Sequence, residues 1–333
     1  MKTMQAMVLG HPKQALQLQD RPLPEPPAGE VRLRVLACAV CRTDLHVIDG
    51  ELPQARYPIV PGHEIVGEVE ALGPGADGLC VGQIVGLPWL GGACCSCRYC
   101  IDGDENLCDR PQFTGCSRDG GFATHVLARA AFCLPLGASQ CADPEHTAPL
   151  LCAGLIGWRA LRAAGDGARV LGLYGFGAAA HLIAQVAAHQ GRKVFAFTRA
   201  GDTAGQQFAL SMGASWAGGS GEAPPEPVDA ALIFAPAGEL VPQALQAVRK
   251  GGRVVCGGIH MSDIPSFPYR LLWEERRILS VANLTRQDGR EFLAAAARLP
   301  LRVRTTRYAL ADANAAVGDL RAGRLNGAAV LVP

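Results

Sequence analysis

The chain has 333 residues, 49% of them apolar and 18% charged, with a formal net charge of +1. That length allows about two domains and a sizeable core, and so small a net charge gives no electrostatic case for nucleic acid or an anionic membrane as partner. No run approaches the roughly 20 apolar residues of a membrane span. The opening MKTMQAMVLGHPKQALQLQD lacks the sustained apolar core of a secretory signal. Thirteen cysteines in a chain expected to be cytoplasmic argue for metal and buried thiols over a disulfide framework.

Residues 1–36 alternate short apolar runs with Pro and Gly, as in MQAMVLG and EVRLRVLACAV, which predicts β-strands separated by turns. The stretch that follows holds Cys41, His46 and His63 together with Thr43, Asp44 and Glu64, a thiolate and imidazole donor set of the kind zinc takes. Cys41 and His63 are too far apart for one local knuckle, so the chain must fold back and a third ligand must come from elsewhere; Cys152 is a candidate. IVGEVEALG (65–73) and VGQIVGLPWL (81–90) continue the strand texture.

Cys94, Cys97, Cys100 and Cys108 follow with the spacing Cys-x2-Cys-x2-Cys-x7-Cys. Four thiolates this close can surround one ion using local chain alone, leaving no open position, which is the pattern of a structural zinc. Cys95 falls outside the spacing, and Cys38, Cys80, Cys116, Cys133, Cys141 and Cys256 are assigned to packing. From Pro144 the apolar spacing turns helical, which puts Cys152 on a helix through LLCAGLIGWRAL.

ARVLGLYGFGAAAHLIAQVAAHQGRKVFAFT then reads as strand, glycine turn, helix and strand. Gly175 and Gly177 fill the first two places of G-x-G-x-x-G, with Ala180 in the third, so the turn can face a pyrophosphate with backbone N–H groups and a helix N-terminus. Strands at 228–235 and 252–259 flank a helix with a glycine stop, and EERR at 274–277 reads as a solvated face. The repeat predicts an α/β doubly wound parallel sheet from about 155 to 283. The closing AAVLVP is able to return a strand to the first domain.

Cys-Arg-Thr-Asp-Leu-His at 41–46 and Gly-His-Glu-x-x-Gly at 62–67 resemble the zinc-dependent medium-chain alcohol dehydrogenases, and the likeness runs over nearly the whole chain. It implies a two-domain fold, a GroES-like β-barrel catalytic domain at 1–150 with a zinc lobe at 94–108, a Rossmann-type dinucleotide-binding domain at 151–284, and a return to the catalytic domain at 285–333. It implies two Zn2+ per chain, a structural one on the four-cysteine lobe and a catalytic one on Cys41, His63 and Cys152. An ion so held acts as a Lewis acid towards an alcohol that gives its hydride to NAD(P). Thr43 and His46 match the family's proton relay, Asp44 the carboxylate that orients His63, and Glu64 the carboxylate behind the zinc.

The same likeness puts Arg42 near the cofactor phosphates and Leu52 and Trp89 in the substrate pocket. It implies a small alcohol or aldehyde substrate and a homo-oligomer, dimer or tetramer. At the end of the second strand of the dinucleotide fold an NAD enzyme usually carries an acid; here Thr198 and Arg199 stand there, with no acid before Asp202. NADP is therefore expected to be accepted or preferred, with NAD as the alternative. A quinone or alkene reductase of the same superfamily lacks the zinc ligands, and a non-catalytic zinc-thiolate redox sensor has no use for the glycine turn or for Thr43 and His46.

Overall fold

EVRLRVLACAV, apolar at every second position, makes the longest strand of the protein, β3 (Glu30–Val40), with Val31, Leu33, Val35, Ala37 and Ala39 at most 4% exposed. The structure is a computed structural model that describes residues 2–325 and 327–333. It divides into two units, the first made of Met1–Cys152, Leu284–Arg298 and Val303–Pro333, the second of Ala153–Asn283 and Leu299–Arg302.

In the first unit β1 (Thr3–Val8) and β2 (Gln17–Pro22) form an antiparallel hairpin ahead of β3. Helix α1 (Arg42–Asp49) follows β3 directly, then β4 (Glu64–Leu72), β5 (Ile84–Leu87) and β6 (Leu90–Gly92). The short helix α2 (Arg98–Ile101) belongs to the cysteine lobe, and β7 (Gln112–Phe113) pairs back with β6. β8 (His125–Arg129), β9 (Leu134–Pro135), α3 (Ala138–Ala142) and α4 (Pro144–Thr147) complete this part.

The second unit begins with α5 (Ala153–Ala164) and alternates strand and helix as far as β12, with no α-helix among the described residues between β12 and β13 or between β14 and β15: β10 (Val170–Tyr174), α6 (Ala178–His189), β11 (Lys193–Thr198), α7 (Thr203–Ser211), β12 (Trp216–Gly219), β13 (Val228–Ile233), α8 (Leu240–Ala247), β14 (Val248–Cys256) and β15 (Arg277–Ser280). Its six strands are all parallel in the order β12-β11-β10-β13-β14-β15. The order reverses between β10 and β13, and in such sheets a ligand binds beyond the carboxyl ends of the strands at that reversal. Here the Gly175 turn leaves β10. Gly175 has φ +82°, and a side chain there would run into Ala235. Helix α6 is almost wholly buried, as its AAAHLIAQVAAH sequence requires of an element apolar on every face.

The chain then returns to the first unit through α9 (Arg286–Ala296), β16 (Thr305–Ala309), α10 (Ala313–Arg321) and β17 (Ala328–Val332). β17 pairs with the last residues of β3, while β4 runs along the other side of β3 and β8 along its first half, in a seven-stranded sheet ordered β16-β17-β3-β4-β5-β9 with β8 beside β3. Two register shifts between β3 and β4 bend this sheet over its apolar core. Among the described residues no helix is long and apolar enough to cross a membrane, and all thirteen cysteines are unpaired.

Four sequence expectations are corrected. Cys152 does not lie on a continuous helix: α4 ends at Thr147, a 3-10 turn covers Ala148–Leu151, and Cys152 has φ −135° and ψ −65° before α5 begins. Pro149 is the reason, because it supplies no N–H and its ring clashes with the preceding turn. The glycine stop after α8 lies inside β14, where Gly251 is taken up in a register irregularity. EERR is not one solvated face: Arg276 is mostly covered and donates to the carbonyls of Val248 (2.9 Å) and Trp273 (2.6 Å). Cys80 is exposed and not packed.

Candidate functional site

Cys41 is the N-cap of α1, in extended conformation with φ −123° and ψ 174°. Its backbone N–H donates to Asp44 Oδ2 at 2.8 Å, and its sulfur accepts the Thr43 N–H at 3.3 Å, so a cysteine takes the place of the usual hydroxyl cap. Asp44 does more than close the helix. Its Oδ1 also accepts the Gly62 N–H at 3.2 Å and pairs with His63 Nδ1 at 3.0 Å, with both side chains fully buried. One carboxylate thus ties the start of α1 to the start of β4. Gly62 makes the approach possible: it has φ +97°, and a side chain there would strike the Phe122 ring at 2.4 Å.

With Nδ1 held by Asp44, His63 turns Nε2 to the Cys41 sulfur at 3.1 Å. Cys152, freed from helical geometry by Pro149, brings its sulfur to 3.9 Å from that of Cys41. Glu64 is the fourth member. Ligand atoms of Cys41, His63, Glu64 and Cys152 all lie within 4.8 Å of one another, and Glu64 Oε1 is buried without a hydrogen-bond partner. A buried acceptor of that kind calls for a cation.

Electrostatics point the same way. The neighbouring Cys152 thiol and burial push Cys41 well up. Burial and the Cys41 sulfur push Glu64 well up. The bond from Cys41 favours the Cys152 thiolate, but burial and the Glu64 and Asp44 carboxylates outweigh it and raise that thiol too. Burial disfavours a charged His63, yet Cys41 and Asp44 prevail and push it well above the usual imidazole range. Ionised together in a buried place, the two thiolates and the carboxylate would repel one another, and a cation in their midst is what lets them carry those charges. Bonds of about 2.3 Å to a tetrahedral ion set two sulfurs about 3.8 Å apart, so the donor set fits zinc.

The second cluster is local. Ligand atoms of Cys94, Cys97, Cys100 and Cys108 also lie within 4.8 Å of one another. Backbone N–H groups aim at the sulfurs: Cys94 N–H at Cys108 (3.2 Å), Cys97 N–H at Cys94 (3.3 Å) and Arg110 N–H at Cys108 (3.3 Å). The Ser96 N–H draws the Cys94 thiol down to about 5, the Asp109 N–H lowers Cys97, and burial with Cys108 pushes Cys100 up to about 12. The Cys95 thiol, on an exposed residue with φ +57°, lies outside the cluster.

Around the first cluster, His46 Nδ1 pairs with Glu51 Oε2. Sequence reasoning missed Glu51, although the Asp-Gly-Glu run held the signal: Gly50 caps α1 in the left-handed region (φ +75°), which turns the chain so that the next residue comes back beside His46. Thr43 is half-buried on the first turn of α1 and Arg42 is exposed. Trp89 is 6% exposed, stacked on Phe113 and edge-on to His63 at 5.0 Å, and Leu52 packs on the barrel core.

In the second unit Gly177 caps α6 and Ala180 is fully buried against the sheet. Thr198 ends β11, but it is only 6% exposed and its hydroxyl is spent inside the fold, its one proton facing the carbonyls of Arg199 (3.2 Å) and Gly218 (3.4 Å). Arg199 is exposed beside it, and Asp202 is engaged as the N-cap of α7, accepting the Gly205 N–H at 2.8 Å.

Residues 27–138 match the alcohol dehydrogenase GroES-like domain family. A probable alcohol dehydrogenase of Mycobacterium tuberculosis is 45% identical over 93% of this chain and 90% of its own length. An alcohol dehydrogenase of Geobacillus stearothermophilus is 33% identical over 98% of both chains. The solved structure of acetophenone reductase from Geotrichum candidum in complex with NAD superposes with a TM-score of 0.87, at 26% identity, covering 99% of this chain and 97% of that one.

Replacing Asp44 by Ala leaves the N–H groups of Cys41 and Gly62 and the ring of His63 without their buried acceptor. At about 1–3 kcal/mol for each unmet group, the expected loss is about 3 kcal/mol or more, read as a lower urea midpoint with an unchanged slope. An unchanged midpoint means that this carboxylate does not hold the site together.

Proposed function

Because the chain belongs to the zinc-type medium-chain alcohol dehydrogenase family, we propose that it transfers a hydride between a primary or secondary alcohol, or the matching aldehyde or ketone, and NAD(P), using one catalytic and one structural zinc. In this reading residues 1–150 form the catalytic domain, 151–284 the cofactor domain and 285–333 the return. The observation that carries it is the Cys41–His63–Glu64–Cys152 group, four metal-capable donors whose ligand atoms lie within 4.8 Å of one another, with an orphaned buried carboxylate oxygen among them.

Zinc, when bound there, supplies the Lewis acidity that lets an alcohol lose its proton near neutral pH. The protein's own residues then have to move that proton. Thr43 suits the inner step, because a hydroxyl accepts one proton while giving up its own. His46 takes the outer step. A proton on Nδ1 is held by Glu51, which leaves Nε2 as the accepting nitrogen. Asp44 plays the same part for His63, fixing Nδ1–H so that Nε2 faces the ligand group. Leu52 and Trp89 line the substrate side.

For the cofactor, Gly175, Gly177 and Ala180 shape the turn that receives the pyrophosphate, and Arg42 approaches the phosphates. The Thr198 hydroxyl is turned inward, so the choice between NAD and NADP falls to Arg199 and to the missing acid at the strand end. A guanidinium there favours a 2′-phosphate. A homo-oligomer completes the proposal: Ile259, Ile264, Tyr269, Trp273 and Leu279, all at least 36% exposed, crowd the segment leading into the edge strand β15.

Metal analysis of the purified protein is expected to find two zinc ions per chain. One zinc in fully active protein contradicts the assignment.

Steady-state kinetics with a panel of primary, secondary and aromatic alcohols and both cofactors tests the reaction itself. In that assay Thr43→Ala is expected to lower kcat by at least about 100-fold with little change in cofactor affinity. His46→Ala costs less, since water can replace the outer end of a relay. Equal losses count against the order of the two steps.

Arg199→Ala is expected to raise KM for NADP more than KM for NAD. Strong wild-type selection for NAD, with neither constant moved by the substitution, overturns the cofactor reading.

A further inference from the structure

The four-thiolate lobe has little to hold it in place. Between Cys94 and Cys108 its regular structure is the four-residue α2 and a 3-10 turn at Glu105–Leu107, and Tyr99, Ile101 and Leu107 are 41%, 74% and 45% exposed. Its apolar floor is small, made of Leu90, Ala93, Cys108 and Phe132. Yet one of its residues, Glu105, is only 8% exposed, and its carboxylate accepts four hydrogen bonds.

The partner is Arg286, 181 residues away and the first residue of α9. Its backbone N–H donates to Glu105 Oε1 at 2.7 Å, Nε reaches both carboxylate oxygens at 2.9 Å, and a terminal nitrogen reaches Oε2 at 2.6 Å. Its guanidinium carbon lies 4.7 Å from the centre of the Phe132 ring, in the floor of the lobe. Burial would raise Glu105, but Arg286 outweighs it and holds the carboxyl below its usual range. The helix end is well anchored: Thr285 and Asp288 form a reciprocal cap, Phe292 and Leu293 are buried, and Gln140 donates to the Leu293 carbonyl at 3.1 Å. The free N–H of α9 and its positive end add to the hold on the carboxylate.

We propose that Glu105 and Arg286 are positioning residues for the structural metal, a latch that keeps the loop between Cys100 and Cys108 closed so that the fourth thiolate stays in place. The forked guanidinium matters as much as its charge, because it grips both carboxylate oxygens while sitting over the Phe132 ring. This inference rests on the reading that the four cysteines hold zinc.

The test uses the full-length holoenzyme and first counts its metal; a wild-type protein with no metal on the four cysteines defeats the underlying reading before any variant is compared. Zinc release to a chromophoric chelator is then followed for wild type, Arg286→Ala, Arg286→Lys, Glu105→Gln and the double variant Glu105→Gln/Arg286→Ala. Glu105→Gln keeps the side-chain shape and guards against a simple failure to fold. Release from the four-thiolate group is expected to quicken by about 10- to 100-fold in the single variants, with the double variant no faster than the worse single one. The Cys41 metal keeps its wild-type rate. Lysine does not restore the wild-type rate, and the thiolate-to-metal absorption of the cobalt-substituted lobe changes in Arg286→Ala. Wild-type release with a wild-type cobalt spectrum overturns the proposal, as does equal loss of both metals or full rescue by lysine.

Discussion

A single buried carboxylate, that of Asp44, joins the two stretches on which the site depends. It caps the first turn of α1, accepts the Gly62 N–H and holds the ring of His63. Cys41 and His63 come from different elements, and neither β3 nor β4 alone fixes the distance between sulfur and ring. The carboxylate does, because its two oxygens are fully committed and lie where water cannot replace them. The surrounding glycines serve this contact. Gly62 leaves no room for a side chain beside Phe122, and Gly120 and Gly121 donate their N–H groups to the carbonyls of Val60 and Gly62, so the 60–63 segment is pressed against 115–122 at backbone distance.

The two cysteine clusters solve the same coordination problem in opposite ways. Cys94, Cys97, Cys100 and Cys108 meet through local turns whose N–H groups favour the thiolates of Cys94 and Cys97. Cys41, His63, Glu64 and Cys152 are gathered from three elements into a buried place where burial and mutual repulsion push the thiols and Glu64 towards their neutral forms. The first arrangement suits permanent occupancy and the second leaves a strong demand for charge compensation, which is what a reactive metal position needs.

The second unit shows how little side-chain chemistry a cofactor fold requires. Its six parallel strands, the reversal between β10 and β13 and the left-handed Gly175 follow from backbone rules. Tyr174 and Phe197 stack at 4.1 Å beneath the turn and make that end of the sheet rigid. In the proposed reading, selectivity among cofactors is left to a few residues beyond the strand ends, the exposed Arg199 first among them.

The sequence alone determined what rests on local spacing and backbone allowance. Four cysteines within fifteen residues, G-x-G-x-x-A at a strand-to-helix junction, and alternating apolar runs in β3 each carry their structure in neighbouring residues, so they were legible without coordinates. Where tertiary contacts outvote local pattern, the sequence misled or was silent. Arg276 was drawn inward by the carbonyls of Val248 and Trp273, and the Thr198 hydroxyl turned to Gly218, whereas the break before Cys152 came from Pro149, a local signal already in the sequence. Only the folded chain brought Glu51 to His46 and set Arg286 on Glu105 across 181 positions. Those pairings depend on which surfaces the sheets and helices bring face to face, and no periodicity in one dimension encodes them.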